Sequence, residues 1–304
     1  MKIEGFRVWR WAVLALLVGG FALRVAPAAA YSASETNPAD LGNYACERVG
    51  AGKALDLTGA AVTFEDEFFR QSIAPPEGHN LWYAPIHGGF GGARFLRPDD
   101  KFSPFSQIIG HLNIRMSYRD GKWYSGIIQT VNAKGVGFAQ KYGYFEMRAQ
   151  FPAGMGSWPA FWLKTVNQFT NPTETRAEID VIEAYGGRDQ FGHHSTVHLW
   201  PAAQRGSASL AKHWWKGCYN KIPGGLFDGQ FHTYGGEITP NYVILYFDRK
   251  EVARFATLPE FKKPLFVLVD LAYNAQYEPR TDLTPLDMRI DYVRVWQRPQ
   301  WRNL

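Results

Sequence analysis

The sequence predicts an all-β protein built from antiparallel sheets, closed as a sandwich or a barrel. Three observations lead there. Short segments of alternating apolar and polar residues recur along the chain, and Gly, Pro, Asn and Asp punctuate the gaps between them. No long amphipathic helix supplies the crossovers that a parallel sheet requires. The 304 residues, 46% hydrophobic and 15% aromatic, are enough for a large core. Charged residues reach only 20%, which argues against a disordered or charge-held scaffold.

The chain opens on Lys2, Arg7 and Arg10, then the uncharged run from Trp11 to Phe21, then Ala28-Ala29-Ala30. This basic, apolar, small-residue order predicts a secretory signal over residues 1–30, cleaved after Ala30, and a secreted or periplasmic protein. A retained anchor is the competing reading. Arg24 cuts the apolar run well short of the ~20 residues of a membrane span. The leader also explains most of the formal charge of +5: without it, 29 Lys and Arg face 27 Asp and Glu. Charge therefore gives no support to a nucleic-acid or anionic-membrane partner. The mature protein is expected to be a monomer.

Residues 31–60 are small and polar, and read as a loosely attached N-terminal extension ahead of a domain over 61–304. Cys46 and Cys218 suit one disulfide closing a long loop, and the sequence leaves their pairing open. With no CxxC they cannot build a zinc site alone. Next, Ile108, Gly110, Leu112, Ile114 and Met116 alternate with Ile109, His111, Asn113, Arg115 and Ser117, the period of a strand with one buried face. In 142–151, Tyr142, Tyr144, Glu146, Arg148 and Gln150 share one face, and Gly143, Phe145, Met147, Ala149 and Phe151 the other. Further strands are expected at 178–183, 193–199, 231–238, 242–248, 264–272 and 288–296, and a short helix at Ser207–Trp215.

The most informative stretch is Ala177-Glu178-Ile179-Asp180-Val181-Ile182-Glu183-Ala184-Tyr185. On a regular strand Glu178 and Asp180 point one way, and strict alternation would drive Glu183 into the core as an unpaired charge. A β-bulge near Val181–Ile182 returns Glu183 to the acidic face, so a bulge is expected. Spacing alone leaves open a solvated acidic face or a hard-cation site.

The surrounding sequence is similar to glycoside hydrolase family 16. The resemblance rests on Tyr142-Gly143-Tyr144-Phe145-Glu146-Met147-Arg148, on Trp158-Pro159-Ala160-Phe161-Trp162, and on the acidic strand as the family's bulged Glu-x-Asp-x-x-Glu. Phe231-His232-Thr233-Tyr234 and Asp291-Tyr292-Val293-Arg294-Val295-Trp296 follow in order. It spans about Phe64 to Trp296 and implies a concanavalin A-like jelly-roll sandwich of two curved antiparallel sheets, with a glycan cleft across the concave face. It further implies a retaining, endo-acting β-glycosidase acting on a polysaccharide, an exopolysaccharide or a β-glucan. Glu178 would be the nucleophile, Glu183 the acid/base and Asp180 the helper. The same scaffold also supports transglycosylation, and a sandwich that binds glycan without cleaving it is the competing class.

Trp158 and Trp162 share a strand face and are expected in the cleft. Trp82, Trp200, Trp214 and Trp215 are candidates for either subsite walls or core. His198, on one face with His194, is expected near the sugar as a polar group, and a metal ligand set is not evident. Glu146 and Arg148 read as a structural or cleft-edge pair. Gly88-Gly89-Phe90-Gly91-Gly92 lacks the spacing of a phosphate loop and reads as a flexible cleft loop. No cofactor is required for the chemistry. The resemblance implies a structural Ca²⁺ in many members, with Glu65-Asp66-Glu67 and Asp291 the matching regions. Thr175-Arg176-Ala177, Arg249 and Leu271-Ala272-Tyr273-Asn274 depart from the better-known branches, at loops expected to shape subsites.

Overall fold

A computed structural model describes residues 46–304, except 71, 86–88, 109, 188 and 203–212. The expected leader and residues 31–45 lie outside the described residues. Among the described residues no helix is long and apolar enough to cross a membrane.

The regular secondary structure of the described chain is almost entirely strand. In order come β1 (Ala61–Asp66), β2 (Ile73–Ala74), β3 (Trp82–Tyr83), β4 (Ala93–Phe95), β5 (Phe105–Gln107) and β6 (Leu112–Arg119). Then follow β7 (Lys122–Ser125), β8 (Ile127–Gln129), β9 (Gly143–Gln150), β10 (Ser157–Thr165), a one-turn α1 (Asn167–Thr170), β11 (Arg176–Glu183) and β12 (Gly192–Trp200). The rest are β13 (Trp214–Lys221), β14 (His232–Ile238), β15 (Tyr242–Phe247), β16 (Lys250–Ala256), β17 (Leu265–Tyr273) and β18 (Leu286–Gln297).

Two sheets result. One is ordered β16-β15-β14-β9-β18-β6-β7-β4, with β1 also on β18 and β5 on β6; the other is β13-β12-β11-β10-β17-β8-β3-β2. Pairing is antiparallel apart from the short contacts β2·β3 and β4·β7. The alternation seen in the sequence builds the core between the sheets. Phe145, Met147 and Ala149 of β9 join Phe161 and Leu163 of β10, Ile179 and Val181 of β11, and Val267 and Val269 of β17. Gly236 of β14 permits close approach beneath the acidic strand, since a Cβ there would stand 2.9 Å from a Val181 methyl.

Three expectations need correction. The strand read over 108–117 begins only at Leu112: Ile108 and His111 close a turn through reciprocal backbone bonds, and Gly110 takes φ +71°, so this is the hairpin between β5 and β6. The helix read over Ser207–Trp215 fails at its end, where Trp214 and Trp215 start β13; Ser207–Lys212 lie outside the described residues. The extension is not loose over 46–60. Cys46 is disulfide-bonded to Cys218, with Cα atoms 5.9 Å apart. Arg48 donates to the Val252 and Tyr219 carbonyls, and Leu55, Leu57 and Ala60 pack on Tyr144, Tyr246 and Trp296. Of the tryptophans left open between subsite wall and core, Trp82 is core: it is fully buried against Phe64 and Phe68, and its indole N–H donates to Asp66.

That covering segment also helps explain Glu146. Alternation sends it away from the core, yet it is fully buried and pairs with Arg249, not with Arg148. Arg249 makes two bonds of 2.9 and 2.8 Å, and the Tyr144 and Tyr292 hydroxyls donate two more. Arg148 pairs instead with Asp291. Asp248 and Arg249 hold the β15–β16 turn with φ of 46° and 58°, a geometry that favours glycine. The ion pair compensates that strain. The Arg249 departure thus serves the sheet that lacks the acidic strand, not a subsite.

Candidate active site

The expected bulge is present in both registers of β11. Against β12, Asp180 faces Thr196 and Glu183 faces His194, so three steps on β11 match two on its neighbour. Against β10, Asp180 faces Trp162 and Ile182 faces Phe161. One extra residue is therefore inserted at Val181–Ile182, and both apolar side chains join the core. Glu178, Asp180 and Glu183 are left on one face. With Phe90, Trp158, Ala160, Trp162, Trp200 and Asp270 they line a cleft of about 320 Å³. In a larger concavity of about 510 Å³, Asp228 is the only ionisable lining residue among the described residues, so the chemistry belongs to the smaller one.

Cross-strand pairing fixes the neighbours of each acid, because residues opposite one another share a face. Glu178 lies between Lys164 of β10 and His198 of β12. Its carboxylate is 3.2 Å from the Lys164 ammonium and accepts 3.0 Å from Trp200 Nε1. Asp180 is buried, and its Oδ2 is 2.9 Å from His198 Nε2. Glu183 sits between Ala160 and His194 and accepts from Trp158 Nε1 at 3.1 Å. Asp270 of β17 lies on the far side of Ala160 and accepts from Trp162 Nε1 at 2.8 Å. Three indoles thus each orient one carboxyl.

These environments differ in electrostatic consequence. Burial, reinforced by the Asp180 charge, raises Glu183 to about 8, so at neutral pH it holds a proton. Burial and then the neighbouring Glu178 push Asp180 well above the ordinary range. Asp270 is raised in the same way by burial, then by Glu183 and Asp180, against the lowering effect of the Trp162 bond. His198 is lowered by burial despite the acids around it.

Trp158 and Trp162 line the cleft, and His198 lies beside it on β12. His198 acts on Asp180, and its other nitrogen is 2.8 Å from His213 Nε2. His213 stacks on Trp200 at 3.7 Å, which makes Trp200 a cleft residue. Trp214 packs partly buried against the core, and Trp215 of β13 is paired with His198 of β12. His194 is 3.1 Å from Asp189 and does not join His198 at a metal site. The glycine loop is pinned where it meets the cleft: Gly92 donates to the Tyr273 carbonyl, and Phe90 packs edge-on against Trp158 and Trp162.

Three of the four acids suggested for Ca²⁺ have other partners. Glu67 pairs with Arg294, Asp66 accepts from Phe68, Ser72 and Trp82, and Asp291 pairs with Arg148. Among the described residues, one trio of donor atoms lies close enough to hold a metal, that of Glu178, Asp180 and His198, within 4.8 Å of one another. Those atoms already face Lys164, Trp200 and each other, which suits an acid–base site better than a cation.

Sequence reasoning missed Asp270 and Lys164. Lys164 was findable, since alternation from Trp158 and Trp162 places it on the same face. Asp270 left a weaker trace, as the single charge within the nine residues of β17. Phe90 lies within the glycine segment read as a cleft loop, although no periodicity marks its side chain.

The comparisons with known proteins agree with this geometry. Over 268 residues the chain is 31% identical to endo-1,3-1,4-β-glycanase EglC of Rhizobium meliloti, covering 80% of this chain and 53% of that one. Its identity to endo-1,3-1,4-β-glycanase ExsH of the same organism is 30% over 267 residues, with the same coverage. The chain therefore spans about half the length of these curated relatives. Among solved structures, it aligns with SCLam, described as a non-specific endo-β-1,3(4)-glucanase, with TM-score 0.63 and 20% identity, over 82% of this chain and 96% of that one. The laminarinase catalytic domain of Thermotoga maritima gives TM-score 0.61 and 23% identity over 78% and 98%. Identities this low speak to the fold alone, the jelly-roll sandwich expected from the sequence. Residues 106–293, which include every acid of the cleft, match the model of glycosyl hydrolases family 16, and the chain belongs to that family.

Proposed function

We propose that the chain is an endo-acting β-glycan hydrolase working by retaining double displacement. The observation that carries this reading is the opposed settings of two glutamates in one cleft. Glu183 is held protonated, its pKa raised to about 8, while Glu178 faces an ammonium and an indole N–H. Glu178 attacks the anomeric carbon as Glu183 passes its proton to the departing glycosidic oxygen. A glycosyl ester on Glu178 results, and the bond to the leaving sugar is broken. The Glu178 charge, a minor contributor to the high proton affinity of Glu183 after burial and Asp180, is lost in the ester. Glu183, now a carboxylate, then takes a proton from water that attacks the ester, which releases the sugar and restores both groups. Asp180, close to Glu178 and oriented by His198, steadies the nucleophile.

The names of the relatives support a β-1,3/1,4-linked glucan or a related exopolysaccharide as substrate. The leader expected over residues 1–30 supports action outside the cytoplasm. Product profiling by mass spectrometry over a polysaccharide panel tests the reading. Oligosaccharides of mixed size are expected early from a mixed-linkage β-glucan. Early release of monosaccharide alone would contradict internal cleavage, and binding without any product would favour a glycan-binding module.

A further inference from the structure

Asp270 lines the cleft, yet neither the acidic motif nor the proposed mechanism uses it. It is fully buried on β17, and its Cα partner is Ala160, whose partner on the other side is Glu183. Ala160 contributes only a methyl group, so the space above it, between Glu183 and Asp270, is part of the cleft. Trp162 Nε1 donates to Asp270 Oδ1 at 2.8 Å, and Oδ2 is buried without a hydrogen-bond partner. A buried polar atom left unpaired is costly, and it points to a group that arrives with a ligand.

We propose that Asp270 is a substrate-binding residue whose Oδ2–H donates to a hydroxyl oxygen of the glycan unit lying over Ala160, on the β17 side of Glu183. This rests on the reading of the cleft as a glycan site. A neutral carboxyl has one O–H donor, and the indole N–H on Oδ1 leaves the proton to Oδ2. Burial is the largest influence on this carboxyl and favours its neutral form, against the Trp162 and Ala272 N–H groups. Asp270 therefore adds a directed contact for a neutral sugar hydroxyl, beside the aromatic faces of Phe90, Trp158 and Trp162. A site built to bond a hydroxyl discriminates against sugars that lack it at that position.

The same geometry sets the test. In Asp270→Asn, Trp162 fixes the amide oxygen at the Oδ1 position, which turns the NH₂ toward the cleft as a donor in place of Oδ2–H. In Asp270→Ala no donor remains. The assay is kcat/KM on a mixed-linkage β-1,3/1,4-glucan, together with oligosaccharide affinity by calorimetry and a thermal midpoint to confirm folding. Asp270→Ala is expected to lose about tenfold to a hundredfold in kcat/KM, with weaker affinity, and Asp270→Asn to recover most of it. A folded Asp270→Ala within twofold of the parent protein would overturn the proposal. So would an Asp270→Asn as deficient as the alanine variant, since that outcome requires an acceptor, not a donor. A parent protein that neither binds nor cleaves β-glucan would sink the cleft reading itself, whereas an active parent unaffected at Asp270 sinks this inference alone.

Discussion

Replacing Glu183 by Gln should stabilise the protein, and the gain should grow with pH. The native carboxyl is raised from 4.5 to about 8 by burial and by Asp180, so the folded state holds its proton over a range where the unfolded chain has released it. The native state is thus fully favoured below the unfolded pKa, and that advantage is lost as pH rises through the folded value. At about 1.36 kcal/mol per unit, the loss reaches roughly 3 kcal/mol near pH 7. The substituted glutamine is neutral at every pH and keeps an amide oxygen for the Trp158 indole N–H. Urea denaturation of both proteins at about pH 5 and about pH 7.5 reads the effect. The variant should gain little at the lower pH and about 2–4 kcal/mol at the higher one. A stability gap that stays constant between the two pH values would refute the reasoning.

Other outcomes follow from the same structure. Activity should fall on the alkaline side as Glu183 loses its proton near pH 8, and in a pH–rate profile that limb should be the one set by the acid. Glu178→Ala should abolish turnover, and added azide should restore part of it by attacking from the vacated position, detectable as a glycosyl azide with the opposite anomeric configuration. Arg249→Ala should cost about 3–5 kcal/mol in denaturation, because it strands the buried Glu146 with two tyrosine hydroxyls. Since Arg249 belongs to the other sheet, the kcat/KM of the folded fraction should not change.

Much of this site is legible in the amino-acid sequence. The acidic strand betrays its bulge because a regular alternation would bury Glu183 among Ile179 and Val181, an arrangement too costly to persist. Strands β9, β11, β12, β14, β15, β17 and β18 begin and end within two residues of the segments read from the pattern, whereas β16 was not foreseen. What escaped has a physical reason in each case. At 108–111 an apolar alternation continues straight through a turn, because Gly110 accepts a positive φ that hydrophobicity does not register. Glu146 looked like a partner for Arg148, two residues away on the same face. Its real partner, Arg249, arrives from a hairpin 103 residues later, a pairing set by sheet order. Asp270 is invisible to any motif, since its importance depends on the β10–β17 register and on the small side chain of Ala160.

The configuration of the first product tests the assignment of Glu178 and Glu183 most directly. Proton NMR, recorded on a β-glucan digest before mutarotation, identifies the anomer released at the new reducing end. Attack by Glu178 followed by water activated at Glu183 inverts the anomeric carbon twice, so the β-anomer should appear first and the α-anomer only as it equilibrates. An α-anomer as the initial product would mean a single displacement by water, and would contradict Glu178 as the nucleophile.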